Sequence, residues 1–280
     1  MVYEGIFKTY YENGNVREET YYSNGLPEGE SKVFYPDGAL MEWNNYKAGK
    51  KEGPARYYFA GGLLKSELNY ECDQISGNAK YYYEDGELKA EVQYNNGKKN
   101  GPTKIYYKSG PLKEDKVHVD DKIEGKMTTY YKSGMLKGEW SYKNGVPDGP
   151  SMFYYESGEL LGEKNYNEGK DHGLTKIFYK DGQLKEKIQF ETGKKHGENL
   201  LFSETGGLKA RIVFENGFKK EITVPENEKQ KSDTPVAEGA HLRPEKEKSR
   251  AMKIAGGFLK AAAVFAVIFI IYIAFLKLAG

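Results

Sequence analysis

The chain repeats itself every 24 residues, and no other feature constrains its fold as strongly. A glycine stands at Gly5, Gly29, Gly53, Gly77, Gly101, Gly125, Gly149, Gly173 and Gly197, nine periods without an insertion. Four further columns keep the same step. An aromatic runs from Tyr10 and Phe34 to Phe202, a second glycine from Gly14 to Gly206, and an aliphatic from Val16 and Leu40 to Leu208. The last column is Tyr22, Tyr46, Tyr70, Tyr94, His118, Tyr142, Tyr166, Phe190 and Phe214. A step this regular is one supersecondary unit stacked on its neighbours.

Each period holds two runs rich in Tyr, Phe, Val and Ile, parted by turn dipeptides. The first turn reads Asn13-Gly14, Asp37-Gly38 or Asp85-Gly86, and the second Asn24-Gly25, Asn96-Gly97 or Asn144-Gly145. Such pairs favour hairpins because glycine takes a positive φ without steric cost. No stretch between turns is long enough for a helix. Residues 1–220 are therefore expected to be all-β: an elongated single-layer antiparallel meander of nine hairpins. Roughly 18 strands at about 4.8 Å each would make it ~85 Å long. The 24 Tyr and 13 Phe matter here. Neighbouring rings such as Tyr82 and Tyr83 point to opposite faces, so both faces carry aromatic stripes and each unit leans only on its neighbours.

The columns resemble the variant MORN repeats (membrane occupation and recognition nexus) of many bacterial proteins. Tyr83, Gly86, Leu88, Glu91, Tyr94 and Gly97 carry the pattern in its cleanest copy. Some copies depart from it: Asp115 and His118 replace Glu and Tyr, Asp73 and Asp121 replace a turn glycine, and Ser203 and Arg211 mark the last unit. The resemblance implies a curved single-layer β array used for binding. Some relatives serve as antitoxins in toxin–antitoxin pairs, which makes neutralisation of a protein toxin one implied function.

Past Lys220 the composition changes. Residues 221–252 are rich in Glu, Lys, Pro and Ser and cannot bury enough apolar area to offset ordering entropy, which predicts a disordered linker. Its ends would sit roughly 30 Å apart as a flexible coil. Residues 253–280 follow. Residues 261–276 hold no charge, and with Ile254–Leu259 and a snorkelling Lys260 they predict a transmembrane helix over 254–276, about 35 Å long. Arg243, Lys246, Lys248, Arg250 and Lys253 precede this span and only Lys277 follows it. Together with repeats that start at Gly5 and leave no signal peptide, this predicts a single-pass C-terminal anchor with the array facing the cytoplasm.

The 42 basic and 41 acidic residues balance, which argues against general nucleic-acid affinity. A lone Cys72 excludes an intrachain disulfide and reads as a turn residue. His172 and His196 share a column but sit two strands, about 9.5 Å, apart, too far for comfortable zinc sharing. Glu19, Glu67, Glu91, Glu139 and Glu163 form a carboxylate column, read as a solvated ladder pairing with lysines rather than as a glycosidase pair. No phosphate loop, nucleophile elbow or Cys/His set is present, so neither an enzyme nor a cofactor is expected. The column with binding character is Lys8, Lys32, Arg56, Lys80, Lys104 and Lys176, two positions from the aromatic column on the same strand face. The site expected from sequence is Arg56, Tyr58, Lys80, Tyr82, Lys104, Tyr106 and Tyr130, meeting a protein partner or anionic lipid. The lysine stems also shield the rings from water. Three functions compete: a membrane-anchored scaffold for a protein partner, a toxin neutraliser, and a tether whose array binds anionic lipid.

Overall fold

The computed structural model describes residues 3–225, which form one elongated antiparallel β-sheet. It has 23 strands, beginning with Gly5–Tyr10, Val16–Ser23, Leu26–Phe34 and Leu40–Lys47. Four of them, Lys50–Lys51, Gln74–Ile75, Lys170–Asp171 and Lys194–Lys195, are each separated by one residue from the strand that follows. Joined to it, they leave 19 strand positions: two for each of nine periods and a last one, Phe218–Thr223. Pairing thus continues three residues past Lys220. Each strand pairs with the strands before and after it in sequence. No described helix is long and apolar enough to cross a membrane, and the expected linker from residue 226 on and the expected span 254–276 lie outside the described residues.

The turn chemistry explains the period. In the first turn Gly14 N–H donates to the Tyr11 carbonyl (3.0 Å) and Tyr11 N–H to the Asn15 carbonyl (2.8 Å). The second turn needs positive φ at both central residues, 51° at Asn24 and 78° at Gly25, the geometry matched to strand twist. Two periods lack the glycine there. Cys72 and Asp73 still adopt 48° and 68°, and Asp120 and Asp121 adopt 47° and 68°. Each aspartate offsets the strain with its carboxylate: Lys51 N–H donates to Asp73 Oδ1 (2.7 Å) and Lys99 N–H to Asp121 Oδ1 (2.8 Å).

Two bulges in each period fix the register. Tyr57 faces Ser66 and Tyr58 faces Leu64, which leaves Lys65 as an extra residue. Val92 faces Thr103 and Tyr94 faces Lys99, so Gln93 alone opposes Asn100, Gly101 and Pro102. At Gly101 φ is 123°, in the region that L side chains rarely adopt, so the opening glycine is demanded by the backbone of this bulge.

One face of the sheet acts as the core. Its central row carries small or polar residues such as Ser31 (3% exposed), Ala55 (1%), Ala79 (0%) and Ser151 (2%). Rings close over them. Tyr81 and Tyr94 flank Ala79 and its partner Val92, and their hydroxyls meet at 3.1 Å. Tyr57 and Tyr70 meet at 3.0 Å across Ala55 and Leu68. Burial, then the hydroxyl contact, drives the Tyr81 and Tyr70 phenols well above their ordinary range. Under these two arches the row residue is alanine; where one flank is a threonine instead of a ring, at Thr9 and Thr129, the row holds the larger Phe7 and Met127. In the fifth period His118 takes the tyrosine place and its Nδ1 bonds the Thr103 hydroxyl at 2.9 Å.

Neighbouring hairpins are tied by side chains as well as by the ladder. The Tyr11 hydroxyl donates to the Phe34 carbonyl (2.6 Å), Tyr35 to Tyr58 (2.8 Å), Tyr83 to Tyr106 (2.8 Å) and Tyr155 to Phe178 (2.9 Å). On the opposite edge, the residue before the opening glycine caps the second turn that follows it, 20 residues on. Asn24 N–H donates to Glu4 (2.9 Å), Ala48 to Glu28 (2.7 Å), Cys72 to Glu52 (2.9 Å) and Asn144 to Glu124 (2.7 Å).

Candidate functional site

The face opposite the core carries the residues expected from sequence. Arg56, Lys80 and Lys104 are exposed, and Tyr58, Tyr82, Tyr106 and Tyr130 are half-buried. They form two parallel rows across the sheet. In the first, each ring faces an aliphatic: Tyr58 and Leu64, Tyr82 and Leu88, Tyr106 and Leu112, Tyr130 and Leu136.

The second row is where the structure adds most. By direct cross-strand pairing it runs Lys8, Glu19, Lys32, Trp43, Arg56, Glu67, Lys80, Glu91, Lys104, Asp115. From Lys8 to Asp115 the basic and carboxylate columns thus form one row whose sign alternates except at Trp43; beyond Asp115 the row continues Thr128, Glu139, Met152, Glu163, Lys176, Lys187 and the alternation is lost. Lys8 pairs with Glu19 at 2.8 Å, Arg56 with Glu67 at 3.2 Å and Lys176 with Glu163 at 3.1 Å, and Lys126 pairs with Glu139. The bond to Glu19 and its charge raise the Lys8 ammonium above its ordinary value. The acids also bind the rings: Tyr82 Oη donates to Glu67 (3.1 Å) and Tyr106 Oη to Glu91 (3.0 Å). Burial and these carboxylates raise both phenols. Trp43 stands where an acid would, with the Arg56 guanidinium 5.5 Å from its ring. The carboxylate ladder read from sequence is therefore present, with ion pairs at Glu19, Glu67, Glu139 and Glu163 and a tyrosine on Glu91. It offers an apolar ridge beside a zwitterionic one, in which Arg56, Lys80 and Lys104 each stand opposite an acid across the strands, and its acids are not gathered as a general acid/base pair.

Sequence reasoning missed a second lysine column. In five periods the extra residue of the first bulge is a lysine over the ring that opens its own turn: Lys65 over Phe59 (6.0 Å), Lys89 over Tyr83 (5.7 Å), Lys113 over Tyr107 (5.9 Å), Lys137 over Tyr131 (5.6 Å) and Lys185 over Tyr179 (5.3 Å). The signal was in view as the Leu-Lys dipeptide repeating at 64–65, 88–89, 112–113 and 184–185. Among the described residues no group of three or more His, Cys, Asp or Glu could hold a metal ion. His172 is exposed, and His196 Nδ1 lies 3.6 Å from Glu191.

Comparison with known proteins agrees with this architecture at the level of the repeat. The family described as MORN repeat variant matches residues 3–24, 27–48, 76–96, 123–144, 147–168 and 171–192. These are six of the nine periods, so the match recurs over most of the array. No curated protein matches the chain. Among solved structures, a porin-like protein from Bacteroides uniformis aligns over 74% of this chain and 95% of its own, at 9% identity and a TM-score of 0.18. The TcdB2–TccC3–Cdc42 structure aligns over 76% of this chain at 13% identity and a TM-score of 0.15, and the alignment spans only 14% of that chain. At such scores neither likeness carries an argument.

Proposed function

We propose that this chain is a MORN-variant scaffold that holds a protein partner on the face bearing Arg56, Tyr58, Lys80, Tyr82, Lys104, Tyr106 and Tyr130. The observation that carries this reading is the pair of parallel rows. An apolar Tyr/Leu ridge supplies area to bury, and an alternating Lys/Glu ridge beside it fixes register and rejects partners of the wrong charge order. Repetition lets one partner gain from several weak contacts at once. The partner is expected to present an apolar ridge flanked by charges of both signs. Residues 254–276 would fix the scaffold to a membrane, a reading supported by the 16 uncharged residues 261–276.

The test must respect the alternating row. Glutamate at Arg56, Lys80 or Lys104 would face acids directly across the strands, which destabilises the sheet. R56Q/K80Q/K104Q removes the cations without that clash. Partner captured and identified with the wild-type chain should be lost with the triple variant while the β circular dichroism stays unchanged; capture that persists places the function elsewhere. The full chain should stay with membranes after alkaline carbonate extraction, and its release into the soluble fraction would refute the anchor.

A further inference from the structure

The first-turn edge of the sheet is a second surface, separate from the two-row face. Along it the tyrosine rings are pinned end to end. Tyr83 Oη is held by the Tyr106 carbonyl and Tyr107 Oη by the Tyr130 carbonyl, both at 2.8 Å, so binding there costs little ring entropy. Across the fourth to sixth periods this edge opens into a cleft of about 530 Å³ lined by Tyr83, Tyr107, Lys108, Ser109 and Lys132. Lys108 and Lys132 occupy the same column and both are exposed. The flanking tips are acidic: Glu84, Asp85 and Glu87 on one side, Glu156 and Glu159 on the other. Lys108 reaches Asp85 at 3.1 Å through a pair whose side chains are 67% and 42% exposed, the kind of contact a ligand exchanges at small cost. Ser133 Oγ donates to Glu156 at 2.8 Å and closes the far end.

Equivalent residues of successive periods stand two strands apart, about 9.5 Å. Side chains on one side of a β-strand recur every ~7 Å, and an α-helix climbs ~5.4 Å per turn. A polyproline II helix, with three residues per turn and about 3.1 Å per residue, repeats every ~9.3 Å. We propose that this edge docks an acidic, proline-rich segment in the polyproline II conformation, one ligand turn per period. Its prolines lie on the Tyr83 and Tyr107 rings, and a carboxylate at every third residue meets Lys108 and then Lys132. The two basic tips limit the recognised core to about two turns, six or seven residues. Such a ligand is already ordered before binding, and aromatic grooves are its usual docking sites.

The experiment titrates the full chain, in detergent, into fluorescent peptides and reads anisotropy at low salt. The probes are a peptide of Pro-Pro-Glu triplets, its Pro-Pro-Lys counterpart, and a peptide of the same length and composition with the order scrambled so that the glutamates do not recur at every third residue. The Pro-Pro-Glu peptide is expected to bind at least about tenfold tighter than either control. K108Q/K132Q should erase that difference and K108E/K132E should invert the charge preference, each with unchanged circular dichroism. R56Q/K80Q/K104Q should leave binding intact, which separates this site from the partner face. Equal affinity for the two glutamate peptides would overturn the proposal, since charge alone would then suffice. So would indifference to K108E/K132E, or loss of binding in R56Q/K80Q/K104Q.

Discussion

Tyr83→Phe should weaken the array by about 1 kcal/mol, and Phe59→Tyr should strengthen it by a similar or slightly smaller amount. The ladder between Leu88–Asn95 and Lys98–Tyr106 stops at the pairing of Ala90 with Ile105, because Lys89 is the extra residue of its bulge. The Tyr106 carbonyl lies one position beyond and takes the Tyr83 hydroxyl at 2.8 Å. Phenylalanine keeps the ring under Lys89, 5.7 Å from its centroid, and deletes only the hydroxyl. The loss is then one net hydrogen bond, about 0.5–1.5 kcal/mol, without the larger penalty of a fully buried orphan. The third period is the natural counterpart: Phe59 holds the same column position under Lys65 and carries no hydroxyl for the Tyr82 carbonyl. For an array of this size 1 kcal/mol moves the thermal midpoint by about 2–4 °C. Midpoints in urea and hydrogen exchange of the strands on each side of the joint would report it, and the exchange change should stay local because each unit leans on its neighbours. If Tyr83→Phe leaves midpoint and exchange unchanged while Phe59→Tyr gains nothing, the hydroxyl tie is incidental and the inter-repeat account is wrong.

Ala79→Leu should cost about 1–3 kcal/mol by forcing apart the Tyr81–Tyr94 arch, measured as a urea midpoint; Lys80→Leu, on the exposed face, should cost far less. Burial, then the Lys116 and Lys99 charges, pushes the His118 imidazole from its ordinary 6.5 down to about 4. The unfolded chain therefore takes up this proton first. Stability should fall as pH drops from about 6.5 and level off near 4, by roughly 2 kcal/mol after allowing for solvent screening. His118→Phe copies the natural arrangement at Phe190, which faces Gly173 beside Thr175, and should flatten that part of the pH profile; an unchanged slope would assign it to other groups. Deleting residues 125–148, one whole period, should leave a folded and shorter array by circular dichroism. Deleting half a period should not, because it joins strands with the wrong faces.

The sequence by itself determined the period, the two turns and the alternation of faces, because these depend on contacts within a few residues. Asn24-Gly25 needs two positive φ angles whatever surrounds it, and Arg56 and Tyr58 share a face because a strand has period two. It also placed the Lys and Glu columns. That the two columns merge, between Lys8 and Asp115, into one row of alternating sign was decided only by the structure. So were the Tyr83 hydroxyl's reach to a carbonyl 23 residues on, and the capping of the Ala48 turn by Glu28. Each of these depends on how one hairpin is offset against the next. That offset is set by the bulges at Lys65 and Gly101 and their equivalents, where an extra residue shifts every later cross-strand neighbour. A column of identical letters shows that a position repeats; only the offset across the strands shows what stands opposite it.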